Sequence, residues 1–580
     1  MKLIYFFTVL SLSSLNLYSQ KYDYNWVNGA NPTLFPNFKI SFNNVFPEAT
    51  TVNTNLFFSY THCSLSNFDA KNSKTIVSNG CDIKFTGQSG SLQINNGDYW
   101  CGINEGMIMY QGMFGLPYPD SVNKVLLLSF YHEFTPPITI HAYNCLNRKF
   151  IFYTADFNSN NGEGSINTQE GVLMEGCFQP AKACKHANGK DWWIILPDNL
   201  QHKFYRWLLT KNGLEGPWEQ EVENPTIGNE FQIGYTPWSE FSPNGERMVI
   251  KADTLAALYS FDRCTGLLTY QQSLHQNKIF SFTCTFSPNS DLLYISEDYF
   301  KYLLQYDLTA SDINASEQVL AEWDGYMVDN FKGTIFNFMQ HGPDGKIYIW
   351  AGDTHYMHVI EFPDRKGIDC TVRQRAIELP SEVFGANIYY PNYRLGPIDG
   401  SICDSLGIDN IPMAMYHYLA EDSLTPLSVT FADASYYEPT SWHWTFGDGG
   451  SSELQNPVHD FAAPGTYTVC LIAKNDYGAD TLCREVMVDE TSGTTNLVML
   501  PQVQVGPNPV HDVLQVRFPA KISGIVPEIQ LSDVAGRTVF RSQLPGFEQH
   551  LDVTHLPSGL YFWMVSEGGR LWKSGRVVKM

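Results

Sequence analysis

Four short phrases recur along the first two-thirds of the chain and restrict its fold more than any other feature. They are KHANGKDWWII from Lys185, FSPNGERMVI from Phe241, FSPNSDLLYI from Phe286 and HGPDGKIYIW from His341. Each is a two-residue turn rich in Asn, Asp, Gly or Ser, followed by an apolar run. The turn residues Asn188, Asn244, Asn289 and Asp344 stand 56, 45 and 55 residues apart. A second phrase follows farther along each of the last three periods: LYSFDRCTG from Leu258, LLQYDLTAS from Leu303 and HVIEFPDRKG from His358. The first kind of turn joins two strands, and an Asp or Pro turn closes the next hairpin. Each period therefore reads as a four-stranded sheet. One such sheet cannot bury both faces, so copies must stack around an axis.

The series extends upstream less clearly. VSNGCDI at Val77, KVLLLSFYHEF at Lys124 and FIFYTADF at Phe150 are read as three more repeats, with PNYRLGP at Pro391 returning to close the ring. Roughly 380 residues at about 50 per repeat predict seven or eight blades, and seven is favoured. These phrases resemble the WD-type and lactonase-like β-propellers. KHANGKDWW and PNYRLGPIDGSICDSLGI also resemble the N-terminal propellers of multi-domain secreted proteins from Bacteroidetes-type bacteria. The expected fold is all-β, an about seven-bladed β-propeller over 20–405 followed by two immunoglobulin-like β-sandwich domains.

Composition agrees with that class. The chain is 43% hydrophobic and 14% aromatic, only 17% charged, with 44 Gly and 31 Pro to supply turns. Its net charge of −23 and the lack of any basic block argue against a nucleic-acid partner. MKLIYFFTVLSLSSLNLYS, residues 1–19, has Lys2 before an apolar stretch and Ser19 before the expected cut, and reads as a secretory signal peptide. It is too short to span a bilayer, and no later run is long enough for a transmembrane segment. Export makes disulfides the natural state of the 12 cysteines, whose count is even. The absence of CxxC argues against a zinc ribbon or a thioredoxin-type site.

Residues 411–490 change character. SVTFADAS, SWHWTFGDGG and GTYTVCLIAK alternate with period two, placing Val429 and Phe431, then Trp442, Trp444 and Phe446, then Tyr467, Val469, Leu471 and Ala473 on buried faces of a β-sandwich. The Gly447-Asp448-Gly449 turn follows a strand and opens no helix, so it lacks the context of a phosphate loop. Asp448 is expected to cap its own turn. His443 faces out, and neither it nor His459 has a partner legible in sequence. With Asn475–Gly478 as a hairpin loop, Cys470 falls opposite Cys483, close enough for a disulfide. Trp444, Phe446, Gly447, Asp448 and Gly449, then Asn456, Pro457 and His459, then Gly465 and Tyr467 together resemble the PKD domain. That resemblance implies an immunoglobulin-like spacer or interaction module.

A linker, 491–503, leads to a last unit over 504–580. Its strands and its Asp-x-x-Gly-Arg hairpin read as a further small β-sandwich. Asn508, Pro509, Asp533, Gly536, Arg537, Asp552, Leu556, Gly559, Leu560, Tyr561, Arg576 and Lys579 resemble the type A C-terminal sorting domain of the type IX secretion system. The resemblance implies recognition by the type IX secretion machinery, passage across the outer membrane, and release or surface attachment.

Motifs for chemistry are scarce. GQSGS at Gly87 misses the nucleophile-elbow pattern by one position, and no HExxH or phosphate-loop motif occurs. DFNSNNGEGS from Asp156 lacks the ligand order of an EF-hand loop, so Ca2+ is left without a motif and no cofactor is evident. Asp191, Glu240, Glu297 and Asp353 occupy comparable repeat positions and read mainly as solvated turns and strand ends, although carboxylates from distant blades can meet in a propeller channel. Trp192, Trp193, Trp238 and Trp350 read as blade core, not as a carbohydrate platform. Asp-Ser/Thr-apolar triplets at Asp120, Asp253, Asp404, Asp422 and Asp480 are similar to a Bacteroidetes O-glycosylation motif. The function expected is binding or adhesion at the cell surface, to a polysaccharide or surface protein ligand. A glycan or lactone hydrolase is the alternative, and a structural role in the surface layer or in gliding the third reading.

Overall fold

The computed structural model describes residues 21–580 outside the stretches 29–36, 43–46, 53, 55, 57–62, 67–74, 80, 87–91, 94–111, 122, 133–147, 227–237, 253–254, 276–282, 298, 329–330, 384–388, 421–426, 489–503, 507–509, 518–526, 534–536, 545–547 and 568–569. The signal segment, the GQSGS stretch, Cys101, Cys145, Asp253, Asp422, the linker, Asn508, Pro509 and Gly536 thus lie outside the described residues.

Seven consecutive antiparallel sheets lie between Asn25 and Glu378 among the described residues; the first has three strands and the others four. In each, strands follow chain order from an inner to an outer edge. The inner strands are Asn25–Asn28, Cys63–Ser66, Met113–Pro117, Lys182–Lys185, Trp238–Phe241, Cys284–Phe286 and Phe336–His341. Neighbouring sheets touch along these inner strands or through their cores: Phe150 of the third meets Trp207 of the fourth at 5.6 Å. The ring closes where Trp26 of the first sheet meets Tyr348 of the seventh edge-on, also at 5.6 Å. This is a propeller-like, all-β arrangement.

The four repeat turns all join an inner strand to the second strand of the same sheet, and they are built alike. Asn188 Oδ1 accepts the N–H of Lys190 and Asp191, Asn244 that of Glu246, Asn289 that of Asp291 and Asp344 that of Lys346, at 3.0 to 3.4 Å. The next residue is left-handed in every case: Gly189, Gly245, Ser290 and Gly345 have φ between 68° and 83°. Side-chain capping and a positive φ are what hold so tight a reversal.

The upstream phrases behave differently from expectation. Lys124–His132 and Arg148–Asp156 are adjacent strands of one sheet, the third, not parts of two. Thr75–Ser78 belongs to the second sheet, and the first, Asn25 to Val52, carries no repeat phrase. The segment at Pro391 forms no strand and closes no sheet. Nor do all cysteines pair: Cys63, Cys184, Cys284 and Cys370 are free and buried as small core residues.

The second unit has two facing sheets, Tyr416–Ala420, Ser428–Asp433 and Val458–Asp460 against Ser451–Ser452, Ser441–Thr445, Gly465–Asn475 and Gly478–Val488. Tyr416, Val429, Phe431, Trp444, Phe446, Val469 and Leu471 fill the space between them, and Cys470 is bonded to Cys483 at 2.06 Å. The last unit repeats the plan, with Leu514, Val516, Ile529, Leu531, Trp563 and Val565 in its core.

The first two units share a packed boundary. His417 Nδ1 lies 3.0 Å from the Asp344 carbonyl, and the Tyr436 hydroxyl donates to the Pro343 carbonyl at 3.2 Å. A Cβ on Gly345 would stand 2.7 Å from that of Ala434, so the two backbones meet at a distance that only glycine allows. Beside this contact Arg394 makes a two-pronged pair with Asp23, Nη1 to Oδ1 at 2.8 Å and Nη2 to Oδ2 at 2.5 Å, both side chains buried. Burial works against the Arg394 charge, but Asp23 outweighs it and holds the guanidinium protonated. The guanidinium also lies 4.9 Å over the Tyr436 ring. Asp23→Asn strands that buried charge and should cost about 3–5 kcal/mol, whereas Asp23→Leu with Arg394→Met should recover most of it. Chemical denaturation of the two variants measures both, and an undiminished loss in the double variant would show that the cost does not come from a stranded charge.

Candidate functional site

An axis lined by inner strands is where residues distant in sequence can converge. Here a short segment of the chain itself, Tyr389 to Arg394, lies along it. The Tyr389 hydroxyl bonds the backbone of Ala183 in the fourth sheet at 3.2 Å, and its ring meets Phe114 of the third edge-on at 5.2 Å. The Tyr390 hydroxyl reaches Ser64 Oγ of the second sheet at 2.6 Å and the Asn25 carbonyl of the first at 3.4 Å. The Tyr393 hydroxyl donates to the Gly115 carbonyl at 2.8 Å, and Asn392 Nδ2 to the Pro243 carbonyl at the turn of the fifth sheet. Six residues therefore touch five sheets. All three phenols are buried, and burial raises their pKa well above the ordinary range. Past the axis, Arg263 donates to the Gly396 carbonyl and Ile398 N–H to the Ala187 carbonyl, while Cys264 and Cys403 are bonded.

One polar pair flanks this plug. Lys182 opens the fourth inner strand and is fully buried, its Nζ 3.4 Å from the Tyr389 ring centroid and 6.0 Å from that of Trp238. Nζ has no hydrogen-bond acceptor among the described residues. Desolvation lowers the amine to about 7 against the opposing pull of Glu240. Glu240, on the fifth inner strand, keeps some surface open, yet burial pushes its carboxyl up to about 7 against Lys182. The rings stand in part for the water that Lys182 has lost.

The four carboxylates singled out in sequence do not converge. Asp191 accepts from Asn188 Nδ2 at 2.7 Å on the turn side. Glu297 ends the second strand of the sixth sheet, Asp353 follows that of the seventh, and only Glu240 is on an inner strand. Trp192, Trp193, Trp238 and Trp350 are all buried and pack the sheets. The Asp156 stretch is a hairpin loop closed by its own side chains, Asp156 Oδ1 accepting from Asn158 N–H and Ser159 Oγ meeting Ser165 Oγ. Among the described residues, no three His, Cys, Asp or Glu side chains are placed to hold a metal. Asp120 pairs with Lys190 at 2.5 Å, and Asp480 caps Ala414 N–H. Sequence reasoning missed Lys182 and the tyrosine plug; the only signal for the plug is the density of rings in YYPNYR.

In the second unit, Asp448 Oδ1 accepts the Gly450 N–H at 2.8 Å while Oδ2 lies 2.7 Å from His459 Nε2. His459 stacks on Phe446 at 3.9 Å, and His443 Nδ1 lies 2.5 Å from Glu453 Oε1, so both histidines have partners that the sequence hid. Gly447 is left-handed, and a Cβ there would stand 2.7 Å from the Thr468 carbonyl oxygen. Asn456 Oδ1 accepts from Asp433 N–H, the Pro457 carbonyl from Phe431 N–H and the Ala463 carbonyl from the Tyr467 hydroxyl. Every one of these contacts is internal to the sandwich. In the last unit, Asp533 takes both the backbone and the guanidinium of Arg537, Asp552 caps Thr554, the Tyr561 hydroxyl donates to the Pro557 carbonyl and Lys579 is buried.

Residues 411–489 match the PKD domain. Residues 504–579 match the secretion system C-terminal sorting domain. The sorting domain makes the type IX secretion machinery a partner and marks the chain for secretion or outer-surface attachment. Among the described residues, no helix is long and apolar enough to cross a membrane. No curated protein matches the chain. Among solved structures, the PKD1 domain of Vibrio anguillarum Epp is 27% identical over 14% of this chain and 98% of its own, with a TM-score of 0.13. A putative 6-phosphogluconolactonase from Bacteroides uniformis is 10% identical over 74% of this chain and 97% of its own, with a TM-score of 0.31.

The axial lysine has a measurable signature. Its amine titrates near 7 in the fold and near 10.5 when unfolded, so between those values the unfolded chain binds more protons and stability rises with pH. Lys182→Met should remove about 1.4 kcal/mol per pH unit from that rise between pH 7.5 and 9.5. Denaturation midpoints of wild type and variant across this window check it; identical slopes would place the lysine in water.

Proposed function

We propose that the chain is an exported recognition protein, released from the cell or held at its outer surface, which binds a polysaccharide or a surface protein on a face of the propeller-like unit. The filling of the axis supports this most. Turnover there needs room for a substrate, and Tyr389, Tyr390 and Tyr393 occupy that room with side chains bonded to four sheets. Recognition needs only an outer face, which a rigid ring of sheets presents well. The hydrolase reading draws on one observation, the Lys182 and Glu240 pair, whose two groups titrate near neutrality as an acid and a base would.

The full chain should bind at least one member of a polysaccharide and peptide panel and release no product from it or from a lactone set. Product formation that disappears in Glu240→Gln would replace this reading with the hydrolase. For export, deletion of 504–580 should leave the protein in the periplasm, as fractionation measures; surface display of the truncated chain would overturn the sorting role.

A further inference from the structure

Between the outer strand of the sixth sheet, Gln318–Glu322, and the inner strand of the seventh, Phe336–His341, the chain makes a small hairpin closed by the Met327–Gly333 bridge. It carries exposed apolar side chains: Tyr326 is 45% exposed, Met327 40% and Phe331 91%. The neighbouring turn of the sixth sheet adds Tyr299, 55% exposed. That turn abuts both ends of the hairpin, with Trp323 N–H bonded to the Lys301 carbonyl and Phe336 N–H to the Phe300 carbonyl, each at 2.7 Å. Tyr299 and Phe300 are both left-handed, with φ of 54° and 64°, a conformation that bulky residues adopt under strain and that clusters at binding sites.

The base of the hairpin is held from beneath at Asp324, Tyr326 and Thr334. Arg375 clamps Asp324 with two bonds, 3.0 and 2.5 Å, and its guanidinium lies 4.5 Å from the Tyr326 ring centroid. Tyr356 meets the same ring edge-on at 6.2 Å. Buried His358 accepts the Arg375 N–H at Nδ1, which leaves Nε2 to donate to the Thr334 carbonyl at 3.0 Å. Thr334 N–H in turn bonds the Tyr326 carbonyl. A backed, immobilised ring with one open side is a stacking platform, since little entropy is lost when a ligand lands on it.

We infer that Tyr326, with Phe331 and Tyr299, forms a platform for the pyranose rings of a neutral or amino-sugar polysaccharide. The inference rests on the recognition reading above and names its ligand class and its site. Pyranose C–H bonds carry partial positive charge and suit the negative face of a ring. Of the acids near the rings, Asp324 is paired with Arg375 and Glu382 with Lys332 at 2.5 Å, whereas Glu322 and Glu378 have no Lys or Arg partner among the described residues; these two offer acceptors to sugar hydroxyls or ammonium groups and disfavour anionic glycans and anionic lipid surfaces. Isolated exposed apolar residues are ordinary, but an exposed ring backed by an arginine clamp and braced through a buried histidine, with two further exposed rings on the same connections, is not.

Affinity electrophoresis of the full chain in gels holding a β-glucan, a galactomannan or chitosan tests this, with alginate gels and vesicles of phosphatidylglycerol alongside. Retardation by at least one of the first three is expected. Tyr326→Ala should weaken it about tenfold or more, Tyr326→Phe should stay within about threefold of wild type, and Leu454→Ala on the second unit should leave it unchanged. Near-UV circular dichroism checks that each variant is folded, and Phe331→Ala serves if Tyr326→Ala is not. Retardation that survives both alanine variants overturns this site and leaves the recognition reading standing. Binding to alginate or vesicles alone, or to none of the probes, overturns the ligand class. Cleavage of a retarding glycan overturns the recognition reading itself.

Discussion

The pair between Asp23 and Arg394 is the contact on which the arrangement of the first two units depends. Two charges removed from water are tolerable only when each satisfies the other, and the two-pronged geometry does that. Asp23 lies just before the first inner strand, and Arg394 ends the segment that runs along the axis. The pair therefore joins the two ends of the ring of sheets, 371 residues apart, where no strand among the described residues performs that closure. Tyr436 of the PKD-matching unit covers the guanidinium, so the second unit completes the desolvation of the pair. A PKD resemblance implies a spacer; here the domain is also part of the wall around a buried charge.

This closure decides which surface of the sheets is open. The repeat turns at one end of the inner strands are occupied: Pro343, Asp344 and Gly345 lie under the second unit, and Pro397 lies against Gly189. The axis is filled by phenols. What is left is the opposite end, where the inner strands begin and the connections from outer strands arrive. The hairpin from Trp323 to Thr334 is one of those connections, and it stands on the open side by topology alone. Lys182 begins its strand at the same end, screened by Tyr389 and Trp238.

Local order carried most of what sequence could tell about the fold. The Asn or Asp that caps each repeat turn, and the left-handed residue after it, are short-range requirements, so they leave a periodic trace. The sandwich strands leave theirs in alternation, as Val469, Leu471 and Ala473 show. The third sheet misled because Lys124–His132 and Arg148–Asp156 are long, each with an apolar and aromatic middle, and without an Asn-Gly turn between them. Strand propensity identifies each one but contains nothing about which neighbour it pairs with. Cys63, Cys184 and Cys284 misled for a related reason: an even count in an exported chain suggests pairing, whereas inner strands that converge on an axis favour small apolar side chains, and a thiol serves as one.

The site was less legible because its members act across the ring. Glu240 was visible as an acid near a repeat turn, in the company of Asp191, Glu297 and Asp353, yet those four sit at different depths of their sheets and only Glu240 reaches an inner strand. Distance from a turn along the chain measures position along a strand, not distance from the axis. Lys182 gave no sign, since a lysine at the head of a strand is ordinarily solvated; its burial is a consequence of where Tyr389 lies, 207 residues later. The phenols themselves sit in an irregular segment with no period to read. Their hydroxyls are fixed by backbone carbonyls and by one serine, partners that every sequence offers everywhere. Recognition through such contacts is written in three dimensions only, which is why the densest cluster of tyrosines in the chain gave no local sign of the position it would take.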